Sequence, residues 1–336
     1  MVFILGHGRS GTSLLQTILD SHPSITSSIE SRFAIHFMSK YESVRNWTIE
    51  KKKAFIEDVL QEQKIYFFWE INKTVLERKI FSLPSNTSYN KICKQVYASR
   101  ISFFPKTESK VIIDKNPIYS FLIPHILRVF PSAKFIHIVR DPRATSNSVA
   151  TILQNINIEK PAYGWLMANR EIESFKKIIP DNFHTLKYEN LLIDTQKELR
   201  IIANFIGVEP TVFNLNYHEI VKKEIPNYIE RSPSSQIKRL RKKGLKLVHN
   251  NLSKSINTDF VTKWKKTLSA SQVQQIDSIC GELAVKYDYI VENTFDENVR
   301  IPIMELINTK KLLWYYSLPI WLRELKSKPD MGFLKE

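Results

Sequence analysis

The chain has 336 residues, 43% of them hydrophobic, with 49 Lys and Arg against 34 Asp and Glu; the formal net charge of +15 favours anionic partners such as nucleotides, nucleic acid, anionic glycans or acidic peptides, with a solvated basic surface as the plain alternative. Two cysteines, Cys93 and Cys280, exclude a disulfide framework and paired metal-ligand spacing, so reduced, structural thiols are expected. No stretch reaches the roughly 18 apolar residues of a membrane span, and the short apolar run at residues 2–5 lacks the basic leader of a signal peptide, so a soluble cytoplasmic protein is expected.

Val2 to Leu5 reads as a short buried strand, and Gly6-His7-Gly8-Arg9-Ser10-Gly11 as a small-residue turn. A helical pattern follows from Thr12 to Leu19, with Leu14, Leu15, Ile18 and Leu19 on one face. His22-Pro23 ends it, because the residue before proline disfavours the helical region. Strand, glycine turn and helix form the opening unit of a nucleotide-binding α/β fold. Residues 33–108 read as a helical, aromatic-rich insertion over the sheet. A second strand, Val111 to Ile113, runs into Asp114-Lys115-Asn116-Pro117, and a third, Lys134 to Val139, into Arg140-Asp141-Pro142-Arg143 and a helix. A fourth, His184 to Tyr188, precedes a helix from Thr195 to Ile206; another helix covers Ser271 to Lys286. Apolar runs alternating with helices predict an α/β fold: a P-loop-type parallel sheet flanked by helices, with helical insertions and a helical C-terminal tail over residues 300–336. The whole chain reads as one domain.

Gly6-X4-Gly11-Thr12-Ser13 nearly fits the phosphate-loop pattern G-x-x-x-x-G-K-[ST]. Backbone N–H groups of Gly8, Arg9, Ser10, Gly11, Thr12 and Ser13, at the positive end of a helix, suit an anion. Thr12 stands where a kinase or NTPase carries the lysine that reaches the β- and γ-phosphates. The cation is Arg9, inside the loop, whose forked donors suit a terminal phosphate or phosphosulfate. A tight strand-to-helix turn is the purely structural alternative.

The segment from Gly8-Arg9-Ser10-Gly11-Thr12-Ser13 to Leu19-Asp20-Ser21-His22-Pro23 resembles the 5′-phosphosulfate loop of sulfotransferases that use 3′-phosphoadenosine 5′-phosphosulfate (PAPS). Arg140-Asp141-Pro142-Arg143 with Ser148 resembles that family's 3′-phosphate motif, and Lys115 its strand-end lysine. Glu30 and Arg32 match the glutamate and arginine that follow the His-Pro pair in tyrosylprotein sulfotransferases and their bacterial relatives. Lys187-Tyr188-Glu189-Asn190-Leu191 is similar to their Tyr-Glu-X-Leu segment, whose tyrosine lies near the nucleotide. Lys254-Ser255-Ile256-Asn257 with Thr262-Lys263-Trp264 is similar to a late Lys-X-X-Asn…Ser-Lys-Trp segment, which adds Lys254 to the donor-binding set. The motifs span residues 2–288. His7-Gly8 replaces the usual Val-Pro, and Asn116 stands where tyrosylprotein enzymes have Asp.

The resemblance implies sulfuryl transfer from PAPS to an acceptor hydroxyl on a peptide tyrosine, a carbohydrate or a small molecule, with no metal and no nucleic acid. Arg9 and the loop would hold the phosphosulfate, Lys115 would stabilise the leaving oxygen, and Glu30 would act as general base, with His7 and His22 as rivals. Glu30 in an ion pair with Arg32 or Arg9 is the structural alternative. Tyr188 would stack near adenine or sit in the core. The basic run from Lys238 to Lys246 would close over the 3′-phosphate or stay solvated, and the aromatic–basic tail would pack on the domain or touch a membrane surface. The competing functions are a P-loop kinase-like phosphotransferase and a non-enzymatic nucleic-acid- or anion-binding protein.

Overall fold

The computed structural model describes residues 1–154, 156–248 and 252–324. Its sheet contains β1 (Val2–Leu5), β2 (Ile25–Ser28), β3 (Val111–Lys115), β4 (Lys134–Val139) and β5 (Phe183–Lys187), in the order β2-β3-β1-β4-β5. All pairs are parallel: Val2 lies opposite Ile113 on one side and Lys134 on the other. Alternation splits β1 between two cores. Phe3 and Leu5 join the aromatic insertion, whereas Val2 and Ile4 pack with Leu15, Ile18 and Leu19 of α1 (Thr12–Asp20) and with Leu199 and Ile202. Covering both faces explains why β1 is apolar throughout.

Four strands were expected from the pattern, and β2 is the addition. Ile25-Thr26-Ser27-Ser28 has no apolar run, yet every residue is buried. Most of its polar groups are paired: Thr26 Oγ1 accepts from Ser109 Oγ at 2.6 Å, the Ser27 N–H donates to Asp20 at 2.8 Å, and Ser28 Oγ donates to Asp114 at 3.1 Å. Paired polar groups carry little burial penalty, so an edge strand can hide behind hydroxyls. A second correction concerns Tyr188. β5 stops at Lys187, and Tyr188 opens the helix Tyr188–Ile193.

The insertion is helical, as expected, with helices that include Ile49–Gln61, Gln63–Phe68, Lys73–Phe81 and Tyr89–Tyr97. The tail helix Ile303–Ser317 buries Leu312, Tyr315 and Tyr316 in the same core as the insertion. Beyond it, Arg323 donates to the His36 carbonyl at 2.5 Å and to Ser39 Oγ at 2.8 Å. The tail thus packs on the body of the protein; its continuation past residue 324 lies outside the described residues. Among the described residues no helix is long and apolar enough to cross a membrane. Cys93 and Cys280 are free and sit in different cores.

The connections place the site. β1 hands the chain through α1 to β2 on one side, and β4 hands it to β5 on the other. The order therefore reverses between β1 and β4, the place where open parallel sheets bind ligands beyond their carboxyl ends. Residues 6–11 follow β1 there, and Arg140 follows β4.

Candidate active site

The loop after β1 owes its shape to two glycines. Gly6 has φ +147°, and a Cβ there would lie 2.5 Å from the Ile138 carbonyl oxygen of β4. Gly11 has φ +91°, and a Cβ there would lie 2.2 Å from the ring of Tyr188. Arg9 also has positive φ, +70°, a conformation that costs a non-glycine residue energy and occurs where the surroundings enforce it.

Arg9, Arg140, Ser148 and Tyr188 come together around this loop. Arg9 Nε donates to Ser148 Oγ at 3.2 Å, across the mouth of the helix Pro142–Leu153. Arg140 donates through Nη1 to the Arg9 carbonyl at 3.0 Å and through Nη2 to the Phe260 carbonyl at 2.7 Å. Its guanidinium lies over the Tyr188 ring, 4.5 Å from the centroid. Burial first, and then the neighbouring Arg140 charge, lower the pKa of Arg9. Two crowded guanidiniums at a sheet edge make a place for an anion. Arg140 Nε and Ser10 Oγ are buried with no hydrogen-bond partner among the described residues, so donors remain for such a ligand.

The second cluster stands at the end of β3. Lys115 is buried and donates to Ser13 Oγ at 3.1 Å; its ammonium forms a buried ion pair with Glu30. Glu30 thus pairs with Lys115, a partner the sequence did not suggest, and its charge also acts on Arg9. The Glu30 segment is held from several sides: Ser28 Oγ by Asp114, the Ile29 carbonyl by Trp69 Nε1 at 2.8 Å, and the Ser31 carbonyl by Tyr119 at 2.8 Å. Asp114 accepts hydrogen bonds from Ser28, Tyr97 and Tyr119 and is fully buried; desolvation pushes its pKa up to about 6. Asn116 caps the turn after β3 by accepting from the Ile118 N–H at 3.3 Å.

Of the rival bases, His22 has both ring nitrogens bonded and His7 is sealed from solvent. His22 Nδ1 accepts from the Ser24 N–H at 3.0 Å, so Nε2 carries the hydrogen that it donates to the Glu209 carbonyl, also at 3.0 Å. His7 is completely buried, and desolvation lowers its pKa to about 4. Lys254 is exposed and makes no hydrogen bond or ion pair among the described residues. The neighbouring segment does reach the site through Phe260 and through Trp264, whose ring lies under the Arg143 guanidinium at 4.4 Å. The basic run sits on the helix Ser235–Val248. Its Arg241 is buried against the insertion, donating to the Phe67 and Tyr228 carbonyls, and the side chain of Lys246 lies outside the described residues. Sequence reasoning quoted Asp114 in the strand-end run but missed its role as an anchor, and missed Tyr97 and Tyr119, which bond it and carry no motif.

Known proteins are similar to this chain over most of its length. Residues 2–212 fit the model of the sulfotransferase family. The chain is 24% identical over 292 residues to a protein-tyrosine sulfotransferase of Drosophila melanogaster, covering 85% of this chain and 51% of that protein. It is 26% identical over 243 residues to the omega-hydroxy-beta-dihydromenaquinone-9 sulfotransferase of Mycobacterium bovis, covering 62% of each. The chain therefore spans between half and two thirds of the length of these curated relatives. The sulfotransferase domain of the Synechococcus PCC 7002 olefin synthase superposes with a TM-score of 0.53 at 22% identity, over 86% of this chain and 94% of that one, a likeness of fold. With a family match over most of its length and that family's sheet architecture, the chain belongs to the sulfotransferase family.

Proposed function

We propose that this sulfotransferase takes its sulfuryl group from PAPS and passes it to an acceptor hydroxyl by in-line displacement at sulfur. The observation that carries the reading is the pairing of Arg9 and Arg140 around the loop after β1, with Ser148 of the helix Pro142–Leu153 bonded to Arg9. The loop N–H groups from Gly8 to Ser13 and Arg9 hold the 5′-phosphosulfate. Arg140 and Ser148 hold the 3′-phosphate, with the Tyr188 ring beneath Arg140. Lys115 faces the bridging oxygen. The acceptor oxygen attacks sulfur as the bond to the bridging oxygen breaks, leaving a sulfate ester and 3′-phosphoadenosine 5′-phosphate (PAP). The acceptor's proton goes to Glu30, which the ion pair keeps beside Lys115. By analogy with phosphoryl transfer, charge spreads over the oxygens in a loose transition state, so fixed cations and positioning carry most of the rate. Arg9, Lys115 and Arg140 supply that charge in place of a metal ion.

The acceptor is a peptide tyrosine, a carbohydrate or a small alcohol. The Drosophila and mycobacterial relatives bear the names of a protein and a lipid-quinone enzyme, and both classes belong in the screen. Two free, buried thiols fit a reducing, cytoplasmic setting. Membrane contact through the tail is no part of the proposal, because Leu312, Tyr315 and Tyr316 face inward. The test is calorimetric titration with PAP, without added metal, of the wild type, Arg9→Ala and Arg140→Ala. Micromolar binding weakened at least about tenfold in both variants is expected, the size of a lost charged hydrogen bond. No binding, or equal binding of ATP with Mg²⁺, overturns the donor assignment. Transfer of labelled sulfate to the three acceptor classes then selects the substrate.

A further inference from the structure

The peptide unit joining Arg140 to Asp141 is held on both of its polar edges. Trp165 Nε1, from the helix Glu159–Ile178, donates to the Arg140 carbonyl at 2.9 Å. On the opposite edge the Asp141 N–H donates to Glu189 Oε1 at 3.1 Å. Glu189 is fixed in turn, because Tyr289 donates to its other oxygen at 2.7 Å. Trp165, Glu189 and Tyr289 are all buried. Tyr289 follows the helix Ala270–Lys286, and its own N–H donates to the Ala284 carbonyl at 3.0 Å. Lys187 closes this corner: its ammonium lies 4.3 Å from the Tyr289 ring centroid and donates to the Asp288 carbonyl at 3.0 Å. Tyr289 lies beyond the 2–212 span that the family model matches.

A peptide plane has one rotational setting once both its N–H and its C=O are bound. The setting of the 140–141 plane fixes where the Arg140 Cα–Cβ bond points. It also fixes where Asp141 sits to cap the helix Pro142–Leu153, the helix that presents Ser148. One clamp therefore sets both side chains that face the donor's 3′ end.

We propose that Glu189 and Tyr289, with Trp165 opposite, are positioning residues that give this enzyme its preference for 3′-phosphorylated over 3′-unphosphorylated adenine nucleotides. This rests on the reading of Arg140 and Ser148 as the 3′-phosphate site. The clamp acts through the backbone of Arg140, so its loss is felt chiefly by the 3′-phosphate; Arg140 and Ser148 also bond Arg9, but the 5′ group keeps the N–H groups of the loop after β1.

The experiment is calorimetric titration of the intact protein with PAP and with adenosine 5′-phosphate, for the wild type, Tyr289→Phe, Glu189→Gln and Glu189→Ala. The wild type should prefer PAP. Tyr289→Phe and Glu189→Ala should weaken PAP binding by about tenfold, the scale of one hydrogen bond lost from a charged network, and leave the adenosine 5′-phosphate affinity within about twofold. Glu189→Gln should keep the preference, since its amide oxygen still accepts from Asp141 and its amide N–H₂ can donate to the Tyr289 oxygen. Equal weakening of both nucleotides would mark the residues as structural and overturn the proposal, as would an unchanged preference in Tyr289→Phe and Glu189→Ala. A wild type without any preference for PAP removes the 3′-phosphate reading itself and the proposal with it. The first two outcomes leave the donor site standing and the third does not, so the two failures are separable.

Discussion

Gly11→Ala tests how the donor loop is built. At φ +91° a side chain adds roughly 1 kcal/mol of left-handed strain. The new Cβ also falls 2.2 and 2.6 Å from two ring carbons of Tyr188, an overlap that neither can absorb in place. Forced overpacking costs about 1–3 kcal/mol, so the variant should lose about 2–4 kcal/mol in all. The two parts are separable. In a Tyr188→Ala background the ring is gone and only the strain remains, so the pair should be non-additive by about 1–3 kcal/mol. Tyr188→Ala alone should cost about 3–5 kcal/mol, as for other buried aromatic truncations. Urea unfolding of the wild type, both single variants and the double variant measures the cycle. Displacing the Tyr188 ring also removes the surface on which the Arg140 guanidinium lies, worth about 1–2 kcal/mol when desolvated, so Gly11→Ala should weaken PAP binding by about five- to thirtyfold. Additive costs, or full PAP affinity in Gly11→Ala, would refute the claim that the glycine exists to seat the tyrosine.

Two further outcomes follow from the buried carboxylates. Lys115→Met removes the cation from the Glu30 ion pair and should cost about 3–5 kcal/mol of stability on top of its loss of turnover, whereas Lys115→Met/Glu30→Gln should regain most of the stability and none of the activity; denaturant midpoints and labelled-sulfate transfer separate the two effects. Asp114 has its folded pKa raised from 3.8 to about 6, so between those values the folded state holds a proton that the unfolded chain has released. Stability through this group therefore falls as pH rises from about 4 to 6, by roughly 3 kcal/mol, and Asp114→Asn should flatten that descent in urea unfolding measured across the range; an unchanged slope counts against the buried, hydroxyl-bound acid.

The opening strand, turn and helix are legible because each has a local cause. Apolar Val2 to Leu5 is covered on both faces, glycines permit positive φ, and leucines repeat on one face of α1. Arg140 is legible for the same kind of reason, as a cation directly after a buried strand. β2 is not, since Thr26, Ser27 and Ser28 owe their burial to Ser109, Asp20 and Asp114, none of them a sequence neighbour. The ion pair of Glu30 is hidden likewise: Lys115 ends β3, which lies between β1 and β2 in the sheet but 85 residues from Glu30 in the chain, and only the fold brings the two together. Tyr188 misled because a hydroxyl-bearing aromatic after Thr185-Leu186-Lys187 continues a strand pattern, while its actual place is set by Gly11 and Arg140.

The sheet's central strand is β1, and its two neighbours are β3 and β4, so residues 2–5 pair only with residues 113–115 and 134–137. Bringing such distant segments together costs loop-closure entropy before any pairing repays it, which makes the centre of this sheet a slow step in folding. Arg9, Lys115 and Arg140 stand at the ends of these same three strands. A nascent chain that has not yet released β4 from the ribosome therefore has the loop after β1 but no nucleotide site, and nucleotide can steady the protein only after the middle of the sheet has closed. Donor added during refolding should leave the folding rate unchanged and slow unfolding alone.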